Sequence, residues 1–176
     1  MMKKFVFILF LLCGINLLWA YDSKDEFMQC ENKDKQACKR LISHFEPRCN
    51  DKSLSKEVRG YACSVVGAAY SSNKEYRKAA SFSQKGCDLG DGFGCGKIAR
   101  LYGLGEGVKQ DFKKSFAFAQ KGCDLNDAVG CVILGALYEN GDGVKQNKAK
   151  AKEYYGKACD LGEQLGCDSY KRLNSR

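Results

Sequence analysis

The residues in this chain best placed to do chemistry are its cysteines. Cys87 and Cys95 flank the septet DLGDGFG, Cys123 and Cys131 flank DLNDAVG, and Cys159 and Cys167 flank DLGEQLG. Cys30 and Cys38 keep the same spacing of eight, whereas Cys49 and Cys63 stand fourteen apart. Close cysteines beside glycines suit four roles: zinc binding, thiol redox exchange, a phosphate-cradling loop, or a structural disulfide. Zinc sites favour cysteines with two to four residues between them, usually with histidine, and His44 is the only histidine in the chain. The Cys-x-x-Cys redox motif is absent. The glycine loops also depart from a P-loop. DGFGCGKI has Asp91 in place of the first glycine and Ile98 in place of Ser or Thr, and GLGEGVKQD puts Val108 before its lysine. Structural disulfides remain, expected as Cys30–Cys38, Cys49–Cys63, Cys87–Cys95, Cys123–Cys131 and Cys159–Cys167, with no metal and no cofactor.

Such bonds constrain the elements that carry them. On one continuous helix, cysteines eight apart would be separated by about 12 Å of rise. A disulfide needs Cα atoms within roughly 4.4–6.8 Å, so the chain must reverse inside each septet. Gly90, Asn126 and Gly162 suit the left-handed residue that ends one helix before the next begins. The flanking sequence repeats every 36 residues without gaps, giving units 74–109, 110–145 and a shortened 146–176. In the first half of each unit, small and aromatic residues recur at i, i+3 and i+7: Ala79, Phe82 and Gly86; Ser115, Phe118 and Gly122; Ala151, Tyr154 and Ala158. In the second half, Ile98, Leu101 and Tyr102 return as Leu134, Leu137 and Tyr138. Both patterns describe one face of a helix, so each unit reads as a hairpin of helix A and helix B. Residues 21–73 read as a divergent N-terminal cap, with one helix serving both irregular cysteine pairs and ending at Pro47, the only proline.

The chain opens with Lys3 and Lys4, an apolar run from Phe5 to Ala20, and then polar residues. This is the layout of a secretory signal peptide over residues 1–20. It implies a secreted or periplasmic protein in which ten of the eleven cysteines pair, without stable membrane insertion once the signal is removed. Without Lys3 and Lys4, 27 basic residues face 21 acidic ones, a net of +6. The basic residues are dispersed among acidic ones, as on a solvated surface, and no nucleic-acid partner is expected.

Nucleophile chemistry has little support. Ser53-Leu-Ser-Lys56 and Ser71-Ser-Asn-Lys74 match a loose Ser-x-x-Lys pattern, but no Ser-Asp-Asn or Lys-Thr-Gly accompanies them. His44 shows no partner in sequence and is expected on a helix surface. The 36-residue unit, the junction LYENGDGVKQNKAKA and the Cys-x7-Cys pairs resemble the Sel1-like repeats, relatives of the tetratricopeptide repeats, and in particular the exported cysteine-rich Hcp proteins of bacteria. The resemblance implies an all-α, right-handed α/α superhelix with a concave face, and a weak β-lactamase activity ascribed to some members. No catalytic residue of that activity maps onto a position here. The reading from the residues is a binding scaffold for a protein, a peptide or a peptidoglycan-like envelope component. Lys74, Arg77, Lys113 and Lys114 on the A helices are its contact candidates, and β-lactams are the ligand implied by the resemblance.

Overall fold

The computed structural model describes residues 25–175, so the expected signal peptide and Cys13 lie outside the described residues. A first helix, α1, covers residues 25–31 of the described part. There follow α2 (Lys35–Asn50), α3 (Lys56–Ser72), α4 (Tyr76–Asp88), α5 (Gly92–Leu104), α6 (Phe112–Asp124), α7 (Ala128–Asn140), α8 (Lys148–Asp160) and α9 (Gln164–Asn174). No strand occurs among the described residues. From α2 onward each helix packs on the next, and the B helices α3, α5 and α7 also touch in series. The result is a right-handed α/α superhelical solenoid of hairpins.

The septets reverse the chain as their glycines require. Gly90, Asn126 and Gly162 have φ of +92°, +60° and +91°. At the first of these turns the Gly90 amide donates to the Cys87 carbonyl and the Asp91 amide to that of Gly86, both at 3.0 Å. The same pair of bonds recurs after α6 and α8, which satisfies carbonyls that a helix end leaves open. Asp91, Asp127 and Glu163 then cap α5, α7 and α9 through their side chains. Helix A thus ends and helix B begins within four residues, and the cysteine Cα atoms come to 4.5 Å in all three regular units. Cys30–Cys38 and Cys49–Cys63 close at 4.7 Å.

The small residues let helices approach closely. Ser115 is fully buried and its hydroxyl donates to the Ala99 carbonyl of the preceding B helix at 2.8 Å. Gly135 faces the ring of Tyr155, where an added Cβ would lie 2.8 Å from two ring carbons. Lysines join successive hairpins: the Lys121 ammonium donates to the Cys87 carbonyl, and that of Lys157 to the Cys123 carbonyl, each at 2.7 Å. Each puts a cation at the C-terminal end of the preceding A helix, where the helix dipole favours it.

Pro47 does not end α2. The helix continues through it to Asn50, so α2 carries both Cys38 and Cys49. The proline lacks an amide for the carbonyl four residues back, but it sits in the last turn, where this removes one bond. The Cys49–Cys63 disulfide then holds that turn against α3. His44 also departs from expectation. It is half-buried on α2, its Nε2 accepts from the Arg48 guanidinium one turn on, and its ring meets Phe45 edge-on at 4.9 Å. Burial, then the Arg48 charge, holds its pKa below the ordinary histidine value.

Candidate binding surface

One arrangement recurs where a B helix passes to the next A helix. A tyrosine near the end of helix B meets both a lysine ammonium and an aromatic ring, each from the following A helix. Lys78 lies 4.9 Å over Tyr70, which stacks on Phe82 at 5.6 Å. Lys114 lies 5.1 Å over Tyr102, which stacks on Phe118 at 5.7 Å with the rings 6° apart. Lys150 lies 5.1 Å over Tyr138, which stacks on Tyr154 at 5.6 Å and 4°. Lysine and aromatic are four residues apart on helix A, so one helical face supplies both. The ring face attracts the ammonium and fixes its place. The result is three ordered cations along one edge.

At the second of these rungs the surface opens into a cavity of about 680 Å³, lined by Tyr102, Val108, Lys109, Asp111, Phe112, Lys113 and Lys114 among others. The α5–α6 loop and the first turn of α6 build it. Asp111 caps α6, accepting from the Lys114 amide at 3.0 Å. Among the described residues, no ion pair engages Lys109, Lys113 or Lys114. Three cations therefore face one carboxylate beside the half-buried rings of Tyr102 and Phe112.

The structure places the four expected contact residues in different settings. Lys113 and Lys114 line this cavity. Arg77 is exposed in the first turn of α4, against which the loop at Gly107 folds. Lys74 sits one junction earlier, in a smaller cavity of about 210 Å³ with Lys33, Ser71, Ser72, Lys97 and Arg100. Sequence reasoning missed Lys78, Lys109 and Lys150, although the 36-residue spacing of Lys78, Lys114 and Lys150 was present as a signal. The candidate serines have other work. Ser53 donates to Asp51 at 2.6 Å, Ser55 caps α3 by accepting from the Val58 amide, and Ser71 accepts from Arg100 at 2.9 Å. Among the described residues, no group of three or more His, Cys, Asp or Glu is placed to hold a metal ion.

A helical solenoid whose hairpins are closed by Cys-x7-Cys disulfides, with capped septets between them, defines a cysteine-rich repeat scaffold. The chain belongs to the Sel1 repeat family: the family model matches residues 67–91, 93–127 and 128–163. These matches cut the 36-residue period at a different point from units that begin at helix A. Among solved structures, the chain is similar to Helicobacter pylori cysteine rich protein B, at 30% identity and a TM-score of 0.58, over 77% of this chain and 96% of that one. It shares its fold with c5321, a protective antigen of uropathogenic Escherichia coli strains, at 20% identity and a TM-score of 0.62, over 88% of this chain and 36% of that one. A Sel1 repeat protein from Oxalobacter formigenes matches at 17% identity and a TM-score of 0.65, over 89% and 61% of the two chains. No curated protein matches. Five disulfides indicate an oxidising extracellular or periplasmic environment. No helix among the described residues is long and apolar enough to cross a membrane.

Proposed function

We propose that this chain is an exported binding scaffold that takes an acidic, partly apolar peptide segment of a partner protein along its A-helix edge. The observation that carries the reading is the cavity at the α5–α6 junction. There Lys109, Lys113 and Lys114 surround Tyr102 and Phe112 with no carboxylate but Asp111 in the wall. A carboxylate next to an apolar side chain meets both requirements, and stacked repeats of this kind offer an extended surface on which several such contacts add. Lys150 at the next junction, and Lys78 at the preceding one, hold the equivalent places and extend the same edge. The oxidising compartment implied by the disulfides and the N-terminal sequence through residue 20 support export. β-Lactam hydrolysis is not part of this proposal, because Ser53, Ser55 and Ser71 are held by a carboxylate, an amide and a guanidinium and not by a lysine base.

Fluorescence anisotropy with a labelled peptide of alternating glutamate and leucine tests it. The peptide should bind, its glutamine counterpart should not, and Lys113→Glu with Lys114→Glu should weaken binding by about tenfold or more. Equal binding of both peptides, or none of either, would remove the reading. Displacement by a soluble anionic glycan fragment would assign the cavity to an envelope polymer instead.

A further inference from the structure

The first hairpin junction differs from the two that follow. Three residues, 73–75, connect α3 to α4, whereas seven, 105–111, connect α5 to α6. At the later junctions a glutamine, Gln110 or Gln146, folds back to donate to the Gly103 or Glu139 carbonyl of the preceding B helix. Lys74 holds the corresponding place at the first junction. It lies in the left-handed region with φ of +63°, as does Lys33 between α1 and α2 with φ of +70°. At the septet turns glycine or asparagine fills such positions, because a side chain there is strained. Both lysines line one cavity of about 210 Å³.

Two more cations complete its wall. Lys97 is largely buried, 4.7 Å over the Phe93 ring and 3.5 Å from the Glu31 carboxylate. Arg100 donates to the Ser71 hydroxyl at 2.9 Å and lies 3.4 Å from Glu106. The bond from Arg100 orients the guanidinium and leaves the Ser71 proton free to donate, and Ser72 adds a second hydroxyl. Among the described residues, no carboxylate pairs with Lys33 or Lys74. Four cations against Glu31 and Glu106 leave a net charge of +2 around a space with room for a small oxyanion. α4, which starts at this cavity, is the one helix among α2–α9 whose N-cap residue, Glu75, makes no side-chain capping bond.

We infer that this cavity binds the phosphoryl dianion of a phosphate monoester, with Lys33, Lys74, Lys97 and Arg100 as its charge partners and Ser71 and Ser72 as hydroxyl donors. A phosphate monoester carries close to two negative charges above its second pKa of about 6 and offers three acceptor oxygens. It thereby matches the excess charge, and its three oxygens, accepting two bonds each, can engage the six donor groups, where a carboxylate has one charge and two oxygens. The inference does not depend on peptide binding: Lys33, Lys97 and Arg100 lie outside the larger cavity, and the probe is phosphate alone.

The test is calorimetric titration of the full chain with inorganic phosphate and with glucose 6-phosphate, and flotation with vesicles of phosphatidic acid in phosphatidylcholine. Binding of the soluble phosphates and the monoester alone would mark a soluble ligand, and added vesicle binding would mark a lipid headgroup. Affinity should fall as pH is lowered from about 8 to 5, where the dianion is lost. Asparagine tolerates the left-handed region, so Lys33→Asn with Lys74→Asn should fold with an equal or higher Tm while phosphate affinity drops by about tenfold or more. Absence of phosphate binding by the unaltered chain, or undiminished binding by the folded double variant, overturns the inference.

Discussion

Asp127 caps α7 from a half-buried place. Its carboxylate accepts from the Gly130 amide at 2.6 Å, and Lys97, Asp91 and Glu163 are the charges that act on it. Burial outweighs the amide and Lys97, and raises its pKa from 3.8 to about 6. The folded chain therefore holds this proton more tightly than the unfolded chain. The stabilisation is complete below pH 4, is lost as pH rises through 6, and leaves a penalty at neutral pH. Asparagine keeps the acceptor and removes the charge. Asp127→Asn should stabilise the protein by on the order of 1 kcal/mol at pH 7 and have no effect near pH 4, as read from urea midpoints at both pH values. Glycines give a second residue-scale test. A Cβ at Gly90 would meet open space, so Gly90→Ala carries only the cost of φ at +92°, about 1 kcal/mol. A Cβ at Gly143 would lie 2.6 Å from the Phe112 carbonyl carbon, so Gly143→Ala should cost more than about 2 kcal/mol in the same assay. The need for a left-handed residue at Gly90, Asn126 and Gly162 was legible, because the cysteine spacing demands a reversal there. The placement of Lys33 and Lys74 in the same region was not, since nothing about a lysine signals a positive φ.

Single hairpins bury little, and the disulfides and lysine bridges compensate at the level of elements. Replacing Cys87 and Cys95 together by alanine should lower stability by roughly 2–3 kcal/mol, the chain-entropy value for so short a loop. Lys121→Met should lower it by about 1 kcal/mol, through the lost bond to the Cys87 carbonyl. The two effects act on adjacent groups, so a double-mutant urea series should show them to be non-additive. The hairpins themselves were readable because small and aromatic residues keep helical spacing through three copies. α2 was misread at its end for a physical reason: proline disfavours a helix interior, but in a last turn held by a disulfide its missing amide removes one bond only. The tyrosine rungs depend on which B-helix residue meets which A-helix residue. The period gives the residues involved and not their contact.

Over the whole molecule, the later junctions repeat while the ends differ. α9 presents Lys171 and Asn174 where α7 presents Gly135 and Tyr138. It lacks both the close-packing glycine and the tyrosine that would stack on a following A helix. The first junction, with its short turn, carries the small cation-lined cavity, and the second carries the large one. Sequence alone identified the hairpins and their staples, because both follow from spacing, and the resemblance to the Sel1-like repeats supplied the superhelix. It named Lys113 and Lys114 but not the cavity they share, because a cavity arises from loops and helices far apart along the chain. Export, the peptide edge and the phosphate cavity are proposals that meet on this surface. The most direct measurement of the central one is amide chemical-shift mapping of the labelled protein titrated with the glutamate–leucine peptide. The account predicts shifts clustered on residues 108–114 and around Gly143 that vanish with the glutamine peptide. Shifts confined to other surfaces, or identical with both peptides, would contradict it.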